Sequence, residues 1–363
     1  MSQKKTILTV LGTRPEITKL SPVLPLLDER FTHVVVHSGQ HYSYELDRAF
    51  FDELALRTPD HALAVGSAAH GEQTARILSR LEPILLRTRP DAVIVQGDTN
   101  TTLGGGLCAA KLGIPVIHLE AGARSFDRSM PEEMNRVVVD QVSALMLAAD
   151  AIAERNLHRE GLPPERVVVI GSTAIDAVVL QRDRLAQSDV LARLGLKPRE
   201  YVAVTLHRAA NTEPDVLPGL LQALDDLAKT RRVVFPLHPR TVGAMKAQGL
   251  RLPESILATD PLGYLDMLRL VDQAEALLTD SGGLQEESAV LGTPTLILRF
   301  ETEWQYLTDA GVHKLVGNTR ESVGNGIATW LRPDALAAIR ATPAPIKTGA
   351  ACRSIDALER FLG

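Results

Sequence analysis

The sequence predicts an α/β protein of two doubly wound, Rossmann-like parallel-sheet domains facing a cleft. Three observations carry this. Short apolar runs alternate with amphipathic segments from one end of the chain to the other, the pattern of parallel strands covered by helices on both faces. The alternation stops in a polar, charged stretch at residues 180–200 and then restarts. The length, 363 residues, exceeds one ordinary core and suits two domains of about 100–200 residues each.

The first set of strands is read at Ile7–Leu11, His33–His37, Ala92–Gln96, Pro115–Leu119 and Arg166–Ile170. The clearest helix between them is Glu72–Arg87, where Ile77, Leu81, Ile84 and Leu85 share one face. The second set is Tyr201–Leu206, Arg232–Leu237, Ala276–Thr279 and Thr293–Leu298, with helices near 216–230, 283–291 and 320–332. The expected domains are residues 1–170 and 171–345. An amphipathic pattern at 353–362 is a terminal helix, and the segment 346–363 is expected to pack back on the first domain.

Composition narrows the function. Lys plus Arg is 39 against 44 Asp plus Glu, a net charge of −5, which speaks against a nucleic-acid binder. Aromatics at 4% leave little for base-stacking platforms. Cys108 and Cys352 build neither a disulfide framework nor a cysteine zinc site. No signal-peptide pattern and no membrane-length apolar run is present, so a cytoplasmic protein with no membrane partner is expected.

In open parallel sheets, ligands bind beyond the carboxyl ends of the strands, so the polar residues there are the candidates. After the first strand comes Gly12-Thr13-Arg14-Pro15-Glu16-Ile17-Thr18-Lys19. Pro15 suits a first helical turn, and Arg14 and Lys19 would add charge to an anion-binding helix start. Neither a Walker nor a dinucleotide glycine pattern is present. Gly97-Asp98-Thr99-Asn100-Thr101-Thr102 follows another strand; Asp98 is either the cap of a helix at 100–112 or a functional acid. Gly104–Gly106 inside that helix permit close packing. Glu120 ends a further strand, and Glu132 opens a helix after a loop. Several carboxylates at one site push their pKa values apart, which is how one site holds both an acid and a base.

In the second half, His207-Arg208 and His238 follow strands, and so does Thr279-Asp280-Ser281-Gly282-Gly283-Leu284-Gln285-Glu286-Glu287. The Ser281 hydroxyl and the bare backbone at Gly282 and Gly283 suit a diphosphate, although Ser281 would also serve as an ordinary cap. Glu287 lies one turn on, within reach of a ribose diol. No second ligand stands at metal spacing from either histidine, so no metal is expected.

Gly12–Lys19, Gly39-Gln40-His41, Gln96–Thr102, His118–Arg124, Pro131–Arg136, Leu206-His207-Arg208, Asp280–Glu287 and Glu301-Thr302-Glu303 resemble, in order, the motifs of the non-hydrolysing UDP-N-acetylglucosamine 2-epimerases. The resemblance spans about residues 7 to 317. It implies a glycosyltransferase-B-type fold, a homodimer, a UDP-sugar substrate and no cofactor. It also implies interconversion of UDP-N-acetylglucosamine and UDP-N-acetylmannosamine, by loss and re-addition of UDP through 2-acetamidoglucal, for cell-surface polysaccharide precursors. Asp98, Glu120, Glu132, His207 and Lys19 match the catalytic positions. Arg14, His207, Ser281 and Gly282 match the diphosphate contacts, with Gly283 beside them, and Glu287 the ribose contact. Gln40 and His41 match part of an allosteric site, although Tyr42-Ser43 and Ser67–His70 depart from the usual bacterial pattern. Thr302-Glu303-Trp304-Gln305 replaces the Thr-Glu-Arg-Pro-Glu of many bacterial members, leaving Arg299 to supply the missing arginine. The same variant resembles relatives acting on UDP-2,3-diacetamido-glucuronic acid. A hydrolysing epimerase and a UDP-sugar glycosyltransferase are the other readings.

Overall fold

A computed structural model describes residues 4–40 and 44–363. The chain divides into two compact units, residues up to Ala177 with Lys347–Gly363, and Val178–Ile346. The first is built on seven strands: β1 (Thr6–Leu11), β2 (Thr32–His37), β3 (His61–Ala62), β4 (Ala92–Gln96), β5 (Val116–Ala121), β6 (Leu145–Ala148) and β7 (Val167–Val169). Their order is β3-β2-β1-β4-β5-β6-β7, and every pairing is parallel. Strands β3 and β6 escape sequence reading. The first has two residues, and the second, Leu-Met-Leu-Ala, lacks β-branched side chains.

The helices that position residues in this unit are α1 (Arg14–Leu20), α2 (His70–Thr88), α3 (Asn100–Lys111), α4 (Pro131–Val142) and α5 (Ala151–Arg159). Helix α2 buries the expected stripe of Ile77, Leu81, Ile84 and Leu85. Each such side chain contributes about 1.5–3 kcal/mol of transfer free energy. Helix α3 packs close on α2: a Cβ built at Gly104 would stand 2.6 Å from Ile77 Cγ2, so a larger residue there forces the helices apart.

The second unit carries β8 (Tyr201–Thr205), β9 (Arg232–Pro236), β10 (Ile256–Thr259), β11 (Ala276–Thr279), β12 (Thr295–Ile297) and β13 (His313–Leu315). They run in the order β10-β9-β8-β11-β12-β13, again all parallel. Helices α6 (Leu217–Ala228), α7 (Pro239–Ala247) and α8 (Gly282–Leu291) belong to it. The charged stretch at 180–200 is folded: it forms the short helices Arg182–Leu185 and Val190–Arg193, which bury Leu185 and Val190.

Helix α9 (Ala350–Leu362) lies in the first unit. The Asp176 carboxylate accepts from the Gly349 and Ala351 amides at 2.7 and 2.8 Å, and Arg353 Nε donates to the Ile170 carbonyl at 2.6 Å. Among the described residues no helix is long and apolar enough to cross a membrane.

Both sheets wind outward from a central pair, β1/β4 in one and β8/β11 in the other. At such switch points the loops leaving the two strands turn to opposite sides and open a crevice at the strand ends. The loops that flank them are Gly12–Thr13 and Gly97–Thr99 in the first unit, and Leu206–Arg208 and Asp280–Ser281 in the second.

Candidate active site

In the first unit two of the three candidate acids, Glu120 and Asp98, are held by basic partners. Lys19 lies in the last turn of α1, not at its start, and its Nζ donates to both Glu120 oxygens at 2.6 and 2.5 Å. Gln96 at the end of β4 donates to Glu120 as well. Glu120 has a left-handed backbone (φ 68°), and the β5–β6 register shifts between Leu119 and Ala121. A bulge of this kind re-aims a side chain, and a non-glycine residue held there costs about 1–3 kcal/mol, strain that clusters at functional sites.

Asp98 is not the cap of α3. Thr99 is, its hydroxyl accepting from the Thr101 and Thr102 amides at 3.1 and 3.2 Å. Asp98 is thus left to Arg136 of α4, which donates through Nη2 at 2.5 Å and Nε at 3.0 Å. Asn135 Nδ2 donates to the Asp98 carbonyl at 2.8 Å. Glu132 opens α4 in its first turn, exposed and making no hydrogen bond to any described residue. A carboxylate there is favoured by the helix dipole. Its neighbour Glu133 is buried and structural, accepting from Ser125 N at 2.9 Å, Phe126 N at 3.2 Å and Arg136 at 3.2 Å. Burial alone would raise its pKa, but these donors hold it below the ordinary glutamate value.

The start of α1 corrects the anion-binding expectation. The Gly12 and Thr13 amides both donate to Glu16 Oε2 at 2.8 Å, so the helix's own carboxylate takes those donors. Its other oxygen accepts from the Thr99 and Thr102 hydroxyls at 2.6 and 3.1 Å. Glu16 therefore ties the loop after β1 to the loop after β4. Burial raises its pKa, and the four donors only partly oppose this. Glu16→Ala strands two buried amides and should destabilise the protein by about 3 kcal/mol in urea unfolding. Glu16→Gln should lose less, because the Thr102 hydroxyl can donate to the Gln96 carbonyl, 2.7 Å away, and accept from the new amide.

Arg14 stands at the first position of α1, its guanidinium carbon 5.7 Å from the centre of the Phe50 ring. Gln40 is buried, its Oε1 accepting from the Thr101 amide and hydroxyl at 2.8 and 2.7 Å. Its amide oxygen is thereby committed to the start of α3. His41 lies outside the described residues.

In the second unit Ser281 caps α8, its Oγ accepting from the Leu284 amide at 3.5 Å. A Cβ built at Gly282 would stand 3.1 Å from Arg208 Nη2, and Gly283 is exposed. Glu287 is half-buried in the second turn of α8. Asp280, fully buried, accepts from the His207 amide at 2.9 Å, the Arg208 amide at 2.9 Å and Asn211 Nδ2 at 3.1 Å. It sets the conformation of the His207–Arg208 turn. His207 Nδ1 is 3.8 Å from Asp280 Oδ1, and the His207 and His238 rings are 5.2 Å apart. Burial pushes the His207 pKa down, and nearby Arg208 and Arg240 add to this against the pull of Asp280.

Arg299 is bound to Glu303 at 2.7 and 3.0 Å, and Arg208 Nη2 stands 3.8 Å from the same carboxylate. Trp304 Nε1 donates to the Gly282 carbonyl at 2.8 Å, and Thr302 Oγ1 to Gln285 at 2.6 Å. The variant Thr-Glu-Trp segment thus braces the first turn of α8. Among the described residues no group of three or more His, Cys, Asp or Glu side chains could hold a metal ion.

The sequence profile described as UDP-N-acetylglucosamine 2-epimerase matches residues 26–359. The chain belongs to that family. It is 41% identical over 336 residues to the UDP-N-acetylglucosamine 2-epimerase of Methanococcus maripaludis, covering 89% of this chain and 91% of the relative. It is 37% identical to the UDP-2,3-diacetamido-2,3-dideoxy-D-glucuronate 2-epimerase of Pseudomonas aeruginosa, covering 90% and 92%. The crystal structure of Methanocaldococcus jannaschii UDP-GlcNAc 2-epimerase in complex with UDP-GlcNAc and UDP aligns with a TM-score of 0.87 at 37% identity, over 98% of this chain and 99% of that one.

Within this epimerase-family chain, the structure brings Lys19 to Glu120 and places Asp98, Glu120 and Glu132 on one unit. It places His207, Ser281, Gly282, Gly283 and Glu287 on the other. Sequence reading assigned no role to Glu16, Arg136 or Asp280, although all three stand in the quoted motifs. Arg136 stands four residues beyond Glu132 on the same helix, a spacing that could have flagged it.

Proposed function

We propose that the protein interconverts UDP-N-acetylglucosamine and UDP-N-acetylmannosamine by inverting C2 of the sugar. The observation that carries this reading is the pair of basic clamps, Lys19 on Glu120 and Arg136 on Asp98, set at neighbouring strand ends beside the β1/β4 switch point. An epimerase that works by elimination needs an acid–base group for each face of C2 and donors for a departing diphosphate. One carboxylate takes the C2 proton as the C1–O bond breaks and its electron pair leaves with UDP. The resulting 2-acetamidoglucal accepts a proton at C2 from the opposite face as UDP re-forms the bond at C1.

Asp98 and Glu120 exchange this proton, with Glu132 as the third acid and Lys19 as the cation that answers Glu120. Arg14, Ser281 and the backbone at Gly282 and Gly283 take the diphosphate, and Glu287 the ribose. His207 serves the departing phosphate oxygen.

The test is incubation with UDP-N-acetylglucosamine in deuterated water, followed by NMR. Deuterium at C2 with UDP still attached to the sugar is expected. Free UDP as the main product would replace this reading with hydrolysis, and absence of exchange would remove it.

A further inference from the structure

Beneath the two acid-bearing strand ends lies a buried charge network that the proposed reaction does not use. His118, on β5 two residues before Glu120, is fully buried. Its Nδ1 is 2.6 Å from Asp140 Oδ1 on α4, and its Nε2 is 2.8 Å from the carbonyl oxygen of Gly97, the residue before Asp98. Asp140 is fully buried as well; its other oxygen accepts from the Gly122 amide at 3.1 Å and pairs with Arg124 at 2.7 Å. Arg124 in turn binds both oxygens of Glu160, at the end of α5, at 2.7 and 2.6 Å.

The protonation state follows from these partners. A carbonyl oxygen can only accept. The Asp140 carboxylate, already receiving an amide and a guanidinium, is also an acceptor. Both ring nitrogens therefore face acceptors, and only the doubly protonated ring satisfies both. With that proton the set His118, Asp140, Arg124 and the half-buried Glu160 is neutral; without it, the set carries a net negative charge that is only partly open to solvent.

We propose that His118 is held as a buried imidazolium that positions Asp98 and Glu120 for proton exchange at C2. The inference rests on reading those two acids as the proton-exchanging pair. His118 touches no substrate. It acts by fixing the Gly97 carbonyl, and with it the turn that aims Asp98, and by placing a fixed positive charge under the bulge that aims Glu120. Burial alone would push the ring toward neutrality; Asp140, the Gly97 carbonyl and the charge of Glu120 together outweigh it and raise its pKa. The charged groups facing the ring are thus Asp140 on α4, with Arg124 and Glu160 behind it, and Glu120 on its own strand, covered by Lys19 of α1.

Two measurements test this on the full-length protein. Nitrogen-15 spectra of histidine-labelled protein should show both His118 ring nitrogens protonated at neutral pH. Asp140→Asn should then remove the ring's charge together with its counter-ion while both ring hydrogen bonds are kept. The new amide oxygen must face Gly122 and Arg124, both donors, so its nitrogen faces Nδ1, which must accept. The ring becomes neutral while its bond to Gly97 persists. The expected result is a one-sided ring signal and a kcat for C2 exchange lower by about 10–100-fold, the size typical of lost supporting contacts. KM stays near wild type, and the acidic limb of the kcat profile moves to higher pH. His118→Gln, which offers one donor and no charge, should lose kcat likewise. A wild-type ring with one bare nitrogen, or a neutral ring in Asp140→Asn with kcat and pH profile unchanged, overturns the proposal. Absence of wild-type exchange overturns the reading of the acids instead, and the ring signals decide the buried charge on their own.

Discussion

Asp98→Asn and Glu120→Gln should each lose C2 exchange by about 10³-fold, within the range for removal of a general acid or base, while UDP affinity remains that of the wild type. Both changes keep shape and remove the proton capacity together with the charge that answers Arg136 or Lys19. At position 98 the amide oxygen can still accept from Arg136, which also keeps Glu133 at 3.2 Å. At position 120 the amide oxygen can still accept from Lys19. The fold around each site should therefore stand, and circular dichroism and urea midpoints should match wild type. UDP affinity is the internal control, because Ser281, Gly282, Gly283 and Glu287 belong to the other unit. A variant that retains exchange within about tenfold of wild type would remove that carboxylate from the proton relay.

These two acids were legible because each ends a strand whose apolar run is unambiguous. Ala92–Gln96 and Val116–Leu119 are buried along their length, so the polar residue after each must face a strand-end crevice. The same logic found His207 and Ser281. It could not find Glu16, whose position reads as an ordinary first-turn acid of α1; its reach to Thr99 spans 83 residues. Nor could it find Asp280, whose neighbours Ser281 and Gly282 carry the phosphate-loop signal while its own carboxylate turns back to β8. Long-range hydrogen bonding of this kind has no local period. The opposite error arose at Gly12–Pro15, where a sound rule about helix starts and anions met a helix that supplies its own anion.

Asp280 should act through His207, and Asp280→Asn is the variant that shows it. The buried carboxylate receives three donors, the His207 and Arg208 amides and Asn211 Nδ2. The amide oxygen can take the place of Oδ2, which receives all three, but its nitrogen then replaces Oδ1, 3.1 Å from the His207 amide, so two donors face each other and the His207–Arg208 turn shifts. Exchange should fall by about 100-fold, the scale of a misplaced reacting group. The titration of His207 separates this role from a general loss of structure. In the wild type, burial sets the ring midpoint below the ordinary histidine value of about 6.5, so the neutral ring persists through neutrality. Stability linked to that ring is present above about pH 6.5 and is lost as pH falls through the lowered midpoint. The charge of Asp280 opposes the lowering, so Asp280→Asn should move the midpoint further down. The double variant with His207→Asn should be no slower than His207→Asn alone, since residues that act as one unit are not additive. An unmoved midpoint together with additive losses would leave Asp280 a role in the fold only, and His207 would owe its placement to Arg240, which donates to its carbonyl at 3.0 Å.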